Sequence, residues 1–356
     1  MTQAFRYDVD TCQQDLHLNW VDLLAYLGAR YGGDFSHYQA SDMTEAAEQL
    51  QNGVTVEELT KNMTSFAYYR EAYGAVLDGM VGLYEIEIPK SEAPAFALAD
   101  AQIQEGDPAA NTSYATTPPP TTGTDTIDSA SQASPETSAS SNTQTSLEPP
   151  APTLSDPDAV PLTPSGEEKV WVTKYGLKAF LSHYDDFGVS RSYGYRRRHL
   201  GHDMMGQTGT PVIAVESGRV EALGWNQYGG WRIGIRSFDG KRYYYYAHLR
   251  KDYPYQSNLK EGSLVTAGDV IGYLGHTGYS STENTNNIAE PHLHFGLQLI
   301  FDESQKEGNN EIWIDCYELI RFLAINRSET VKKDGTKEWT RVYEMKDSSL
   351  EQFSTQ

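Results

Sequence analysis

The chain has 356 residues, with 28 Lys and Arg against 49 Asp and Glu, a formal net charge of -21; it is long enough for two ordinary domains, or one and a long linker. The basic footprint that nucleic-acid binding needs is absent, and no apolar run approaches the roughly 20 residues that span a bilayer. Two cysteines, Cys12 and Cys316, exclude a disulfide scaffold and leave open one long-range bridge or two unrelated thiols.

Met1 to Asp10 has neither a basic region nor an apolar core, so no signal peptide is expected there. Residues 1–90 carry 5 basic and 14 acidic side chains and are expected to form a small α-helical domain. Asn19 and Asp22 are placed to cap a helix whose apolar positions Trp20, Leu23, Leu24, Leu27 and Tyr31 follow the helical repeat up to Gly32-Gly33. Thr55-Val56-Glu57-Glu58 has the capping-box pattern, opening a second helix through Leu59, Met63 and Phe66. A third apolar segment runs from Tyr68 to Tyr84. No catalytic spacing occurs in this region; His17 and His37 read as surface or packing residues.

Residues 91–168 hold twelve of the sixteen prolines, no Lys or Arg, and 12 acidic residues. So little apolar surface does not offset the entropy of ordering, which predicts a disordered acidic linker. As a flexible coil it would hold its ends about 50 Å apart.

Residues 169–330 carry 18 basic and 18 acidic side chains; within a domain expected to span 169–327, residues 169–300 look all-β, and 328–356 read as a polar, frayed tail. The predicted strands are Pro211 to Val215, Arg219 to Leu223, Trp231 to Ile235, Arg242 to Ala247, Val270 to Leu274 and His292 to Leu299. Phe238-Asp239-Gly240-Lys241 signals a hairpin, and Trp313 to Ile325 a closing helix. On a strand, His292 and His294 share a face while Leu293 packs behind. About ninety residues upstream, His199 and Asp203 bracket Gly201, whose lack of a side chain lets the backbone turn tightly. Two imidazoles and one carboxylate make a tripodal zinc site with an open fourth position, the catalytic rather than the structural arrangement.

The ordered set of His199-Leu200-Gly201-His202-Asp203, Gly209-Thr210-Pro211-Val212, Gly218-Arg219-Val220, Tyr246-Ala247-His248-Leu249, Gly268-Asp269-Val270-Ile271-Gly272, Gly275-His276-Thr277-Gly278 and Pro291-His292-Leu293-His294-Phe295 closely resembles the lysostaphin-type zinc peptidoglycan endopeptidases. The resemblance covers about residues 195–300. It implies an antiparallel all-β fold, the duplicated hybrid motif, carrying one Zn2+ per chain. It further implies His199, Asp203 and His294 as ligands and His248 and His292 as catalytic histidines. One of these would move a proton and the other stabilise an oxyanion; the sequence leaves open which does which. His202 and His276 fall outside the pattern and read as groove-rim or solvent-facing residues. Arg196-Arg197-Arg198 reads as a solvated loop face, and Tyr243 to Tyr246 as strand packing with one or two rings at the groove.

Two departures stand out. Tyr279 to Glu290 is a twelve-residue stretch where relatives have a shorter turn, and Gly296 stands where an acidic residue is common. The resemblance implies peptidoglycan as substrate, an envelope or extracellular location, and an N-terminal domain available to an envelope partner; a phage-borne enzyme is a further origin. The competing readings are a catalytically silent envelope scaffold on the same fold, and a biotinyl- or lipoyl-type carrier. The intact ligand set argues against the first; against the second, the candidate turns offer no lysine in the right setting, and the histidine set would go unexplained.

Overall fold

The computed structural model describes residues 1–93, 167–181, 201–306 and 310–348. The expected linker lies almost wholly outside these residues, as do His199 and Arg196 to Arg198.

The N-terminal region folds as α1 (Thr2–Thr11), α2 (Trp20–Tyr31), α3 (Ala40–Gln51), α4 (Val56–Thr60) and α5 (Phe66–Leu77). The Asn19 side chain accepts from the N–H groups of Val21 and Asp22, and Gly32 closes α2 at φ 61. Both halves of the Thr55–Glu58 capping box form. The helix it opens stops at Thr60, earlier than expected, where the Met63 N–H turns back to the Thr60 carbonyl. Asn62, Thr64 and Ser65 follow, residue types whose side chains compete for backbone groups and favour turns over helix interiors.

Past Gly79 the chain becomes β1 (Val81–Pro89), so the segment predicted as one apolar unit to Tyr84 is part helix and part strand. β1 pairs antiparallel with β2 (Lys169–Leu177) from Val81↔Leu177 to Pro89↔Lys169. The Lys90 N–H donates to Glu168 O at 2.9 Å. The two ends of the linker are therefore neighbours, and the separation of about 50 Å expected of a free coil does not hold. A nine-residue ladder fixes them instead.

The remaining strands are β3 (His202–Met205), β4 (Pro211–Ile213), β5 (Gly218–Asn226), β6 (Gly230–Ser237), β7 (Arg242–Ala247), β8 (Leu264–Val265), β9 (Val270–Tyr273), β10 (His292–Leu299) and β11 (Ile312–Trp313). Helix α6 (Tyr317–Leu323) precedes β12 (Thr330–Lys332), β13 (Trp339–Arg341) and β14 (Met345–Lys346). Every strand pair among the described residues is antiparallel. The main sheet runs β11-β10-β7-β6-β5-β8, with β3 also on the outer edge of β10, and β4 pairs β9. The C-terminal segment is not frayed through Lys346: β12 and β13 form a hairpin, and β14 adds to β1. The predicted closing helix begins only at Tyr317, because Trp313 is taken into β11 opposite Gln298.

A small helical region and an antiparallel β domain are both present, and they share one hydrophobic core. Phe5 of α1 and Trp20 of α2 lie 5.7 and 5.4 Å from the Phe322 ring of α6. The buried Asp8 accepts from the Trp20 N–H at 2.8 Å and from the Tyr175 hydroxyl of β2 at 2.7 Å. Arg242, at the start of β7 and 2% exposed, donates to the Ala75 carbonyl of α5 at 3.1 Å and forks onto Glu216 at 2.8 and 2.9 Å. Burial alone would lower its pKa; Glu216, Tyr244 and Asp239 outweigh that and raise it. Cys12 and Cys316 are not joined in a disulfide. Among the described residues no helix is long and apolar enough to cross a membrane.

Candidate active site

Three strands bring the candidate side chains together. β3 pairs with β10 in the register His294↔Asp203 and His292↔Met205, so Asp203 lies directly across from His294. On its other side β10 pairs with β7, His294 opposite Ala247, which sets His248 just past the strand end. Strand alternation turns His292 and His294 to one face and buries Leu293 on the other. His294 Nδ1 lies 3.0 Å from Asp203 Oδ1, and His292 Nε2 lies 3.6 Å from the same oxygen. The His248 ring is 4.9 Å from that of His292 and 5.7 Å from that of His294.

Gly201 leads into β3 at a close crossing. A Cβ there would sit 2.5 Å from the Phe295 carbonyl oxygen and 2.8 Å from His294 Nε2. Its glycine is needed for this approach to β10, not only for the turn the sequence suggested.

The histidines are oriented through backbone carbonyls. His248 Nδ1–H donates to Thr277 O at 2.9 Å, and His292 Nδ1–H donates to Glu290 O at 2.8 Å. A carbonyl only accepts, so both rings carry a proton on Nδ1 and, when neutral, have the lone pair on Nε2. Burial, with the neighbouring His294 and His292 rings, pushes His248 down to about 3, which keeps it neutral near neutral pH. Its backbone sits at φ 62, a conformation that costs free energy in a non-glycine residue.

The structure supplies what holds His248 in that conformation. Thr277 is fully buried; its hydroxyl donates to Leu249 O at 2.6 Å and accepts from the Trp231 N–H at 3.1 Å, while its carbonyl holds the His248 ring. The His248 N–H donates to Gly229 O at 2.8 Å. Thr277 lies within a motif quoted from the sequence, yet only the fold shows what it touches.

His202 differs from its sequence reading as a rim or solvent-facing residue. It is buried, its Nε2 accepts from the Cys316 N–H at 3.1 Å, and it stacks on Tyr317. Strand alternation explains this: His202 points away from the face that Asp203 shares with the site. His276 is half-buried and donates from Nδ1 to Ile288 O at 2.9 Å, bracing the following loop. In the tyrosine run, Tyr244 and Tyr246 are buried in packing, while Tyr245 turns its ring edge-on to His294 at 6.0 Å.

Among the described residues no group of three His, Cys, Asp or Glu side chains that could hold a metal is present. His199, the third expected donor, lies outside them. The two donors that are described suit a shared cation. At metal–ligand distances of about 2.0–2.2 Å and tetrahedral angles, two donor atoms stand about 3.3 Å apart. The 3.0 Å between Asp203 Oδ1 and His294 Nδ1 needs only a small spread.

Residues 197–308 match Peptidase family M23. The β-rich half of this chain carries an M23 domain. The chain is 37% identical over 157 residues to the L-Ala--D-Glu endopeptidase of Bacillus subtilis, an alignment covering 44% of each chain. It is 42% identical over 98 residues to lysostaphin of Staphylococcus staphylolyticus, covering 27% of this chain and 18% of that one. The catalytic domain of lysostaphin from Staphylococcus simulans aligns at 35% identity, covering 35% of this chain and 79% of that structure, with a TM-score of 0.27. The chain thus spans less than half the length of these curated relatives. The M23 match contains all five expected site residues, while α1 to α5 lie outside it.

Proposed function

We propose that the M23 domain is a metalloendopeptidase that hydrolyses peptide bonds in peptidoglycan stems or cross-bridges, with one zinc ion held by His199, Asp203 and His294. The observation that carries this reading is the 3.0 Å approach of His294 Nδ1 to Asp203 Oδ1 across paired strands, beside two histidines of fixed tautomer. A cation held by those donors would supply the positive charge that polarises a peptide carbonyl and acidifies water. His248 and His292 divide the remaining work. Each presents an Nε2 lone pair able to take a proton during attack and return it to the departing amine. Once protonated, either ring donates a hydrogen bond to a carbonyl oxygen that gains charge.

Relatives named as an L-Ala--D-Glu endopeptidase, a glycyl-glycine endopeptidase and a peptidoglycan DD-endopeptidase support the substrate class and not the bond. That substrate places the protein at the cell envelope or outside the cell, and α1 to α5 are the candidate surface for an envelope partner.

Purified protein should contain near one equivalent of zinc and clear a suspension of cell walls, and His292→Ala should abolish clearing. Mass spectrometry of the new amino termini would identify the bond. Zinc-loaded protein that clears walls of no cross-link chemistry would overturn the hydrolytic reading in favour of a binding scaffold.

A further inference from the structure

The twelve residues from Tyr279 to Glu290 form a stapled loop. Tyr279 N–H donates to Tyr228 O at 3.2 Å and Ser280 N–H to Gln227 O at 2.9 Å, tying the loop to the turn between β5 and β6. Asn284, at φ 60, accepts on Oδ1 from Trp231 Nε1–H and from the Asp252 N–H, each at 2.9 Å. Its Nδ2 donates to Asp252 Oδ1 at 2.6 Å. Asn287 Nδ2 donates to the Tyr279 carbonyl at 2.7 Å. The result is a fixed Tyr279, itself at φ 47, stacked on the His248 ring at 6.0 Å and 29°. Tyr228 meets it edge to face at 6.4 Å and 76°. Both rings are large and half in solvent, 43% exposed for Tyr279 and 51% for Tyr228. A left-handed tyrosine backbone, held by that many hydrogen bonds so that an apolar ring stays partly wet beside a candidate proton carrier, serves no packing purpose evident in the core.

We infer that Tyr279 and Tyr228 form a substrate subsite, a corner of two rings that takes the peptide arm of the wall polymer next to the bond being cut. The inference rests on the endopeptidase reading and adds the part of the substrate that is gripped. The corner geometry selects peptide over glycan. A sugar ring stacks on a flat, open aromatic face, whereas one face of Tyr279 is covered by His248 and the other ring stands near perpendicular. A narrow peptide bearing a small uncharged side chain fits such an angle, laying its methyl or amide plane against the rings. Asn284 acts one step back as the positioning residue that holds the loop in place.

The test uses full-length His292→Ala protein, silenced for cutting, and its retention on isolated cell walls. Adding Tyr279→Ala should weaken retention about tenfold, the loss of one good aromatic contact, and Tyr279→Phe should restore it. Soluble stem peptides should compete for retention and peptide-free glycan strands should not. Retention indifferent to Tyr279→Ala, or competed by bare glycan, overturns the subsite. If His292→Ala does not fold, the otherwise wild-type chain with Tyr279→Ala on a soluble stem peptide should show a raised KM with little change in kcat; the reverse pattern overturns it. Wild-type protein that never cuts walls, but whose retention depends on Tyr279, ends the endopeptidase reading and leaves the subsite standing.

Discussion

The two ends of β7 carry buried polar clusters built on opposite principles. At the first residue, Arg242 is surrounded by charge: Glu216 takes its fork, Asp239 takes Nη2 at 3.1 Å, and the Ala75 carbonyl takes Nη1. Just past the last residue, His248 is neutral and tied by a single ring nitrogen to a main-chain carbonyl, with two more histidines and Asp203 around it. The first cluster pairs its cation internally with two carboxylates and joins the helices to the sheet. The second aims polar atoms at a shared centre, an arrangement that repays its desolvation only if something binds there. One strand thus separates a polar network that joins the helices to the sheet from one that makes up the candidate active site.

The widest break between them comes from Asp203→Ala. Wall hydrolysis should fall about a thousandfold, the scale of losing an electrophilic or acid–base group, and bound zinc measured by plasma emission should fall with it. The melting transition should move little when both proteins are compared metal-free, since Asp203 is partly exposed at a strand edge. A variant that keeps its zinc and its activity would remove Asp203 from the site.

Arg242→Ala tests the opposite end. It strands the Glu216 carboxylate among buried groups, and breaking a buried pair from one side costs roughly 3–5 kcal/mol. Urea unfolding should report that loss, while the folded fraction should keep wild-type kcat at low temperature. Unchanged stability would mean that Arg242 is not what joins α5 to the sheet.

Much of this contrast was legible in the sequence, because strand alternation and glycine punctuation are local signals. All six predicted β runs appear, and the His-x-His spacing alone put His292 and His294 on one face. Other features were hidden because they depend on pairing across long separations. β1 and β2 are divided by the linker, so nothing local announces that Val81 meets Leu177. His202 lies beside Asp203, but which neighbour faces the site is decided by the register on β10. The helix α1 carries few apolar residues, and its burial follows from packing Phe5 on Phe322. His199, the expected ligand most plainly signalled by motif, lies outside the described residues.

Thr277→Val sharpens the comparison within the site. Valine keeps the shape but removes the hydroxyl that bridges Leu249 O and Trp231 N–H, leaving the φ 62 backbone of His248 less well held. Supporting contacts of this kind are worth about 10–100-fold. The loss should fall on kcat with KM unchanged, and Thr277→Ser should restore it. A uniform loss of expression and stability in both variants would assign Thr277 to packing alone.

The smallest effect lies outside both clusters, at the hairpin of β12 and β13. Hydrogen bonds from Ser257 and Tyr253 hold the Glu338 carboxyl down to about 2 from an ordinary 4.5; the Tyr253 hydroxyl donates at 2.7 Å and the Ser257 N–H at 3.1 Å. A depressed folded-state pKa stabilises the protein above the unfolded value, and that contribution is lost as pH falls through the folded one. The Glu338 contribution should therefore be complete above about pH 4.5–5 and decline steadily toward pH 2. Because Glu338 lies in a surface hairpin and is only partly buried, the measured change should be slight and should shrink in high salt. Glu338→Gln should flatten that part of the acid limb without altering wall clearing at neutral pH. An acid limb identical to wild type would show that the hairpin contributes nothing to stability through this carboxylate.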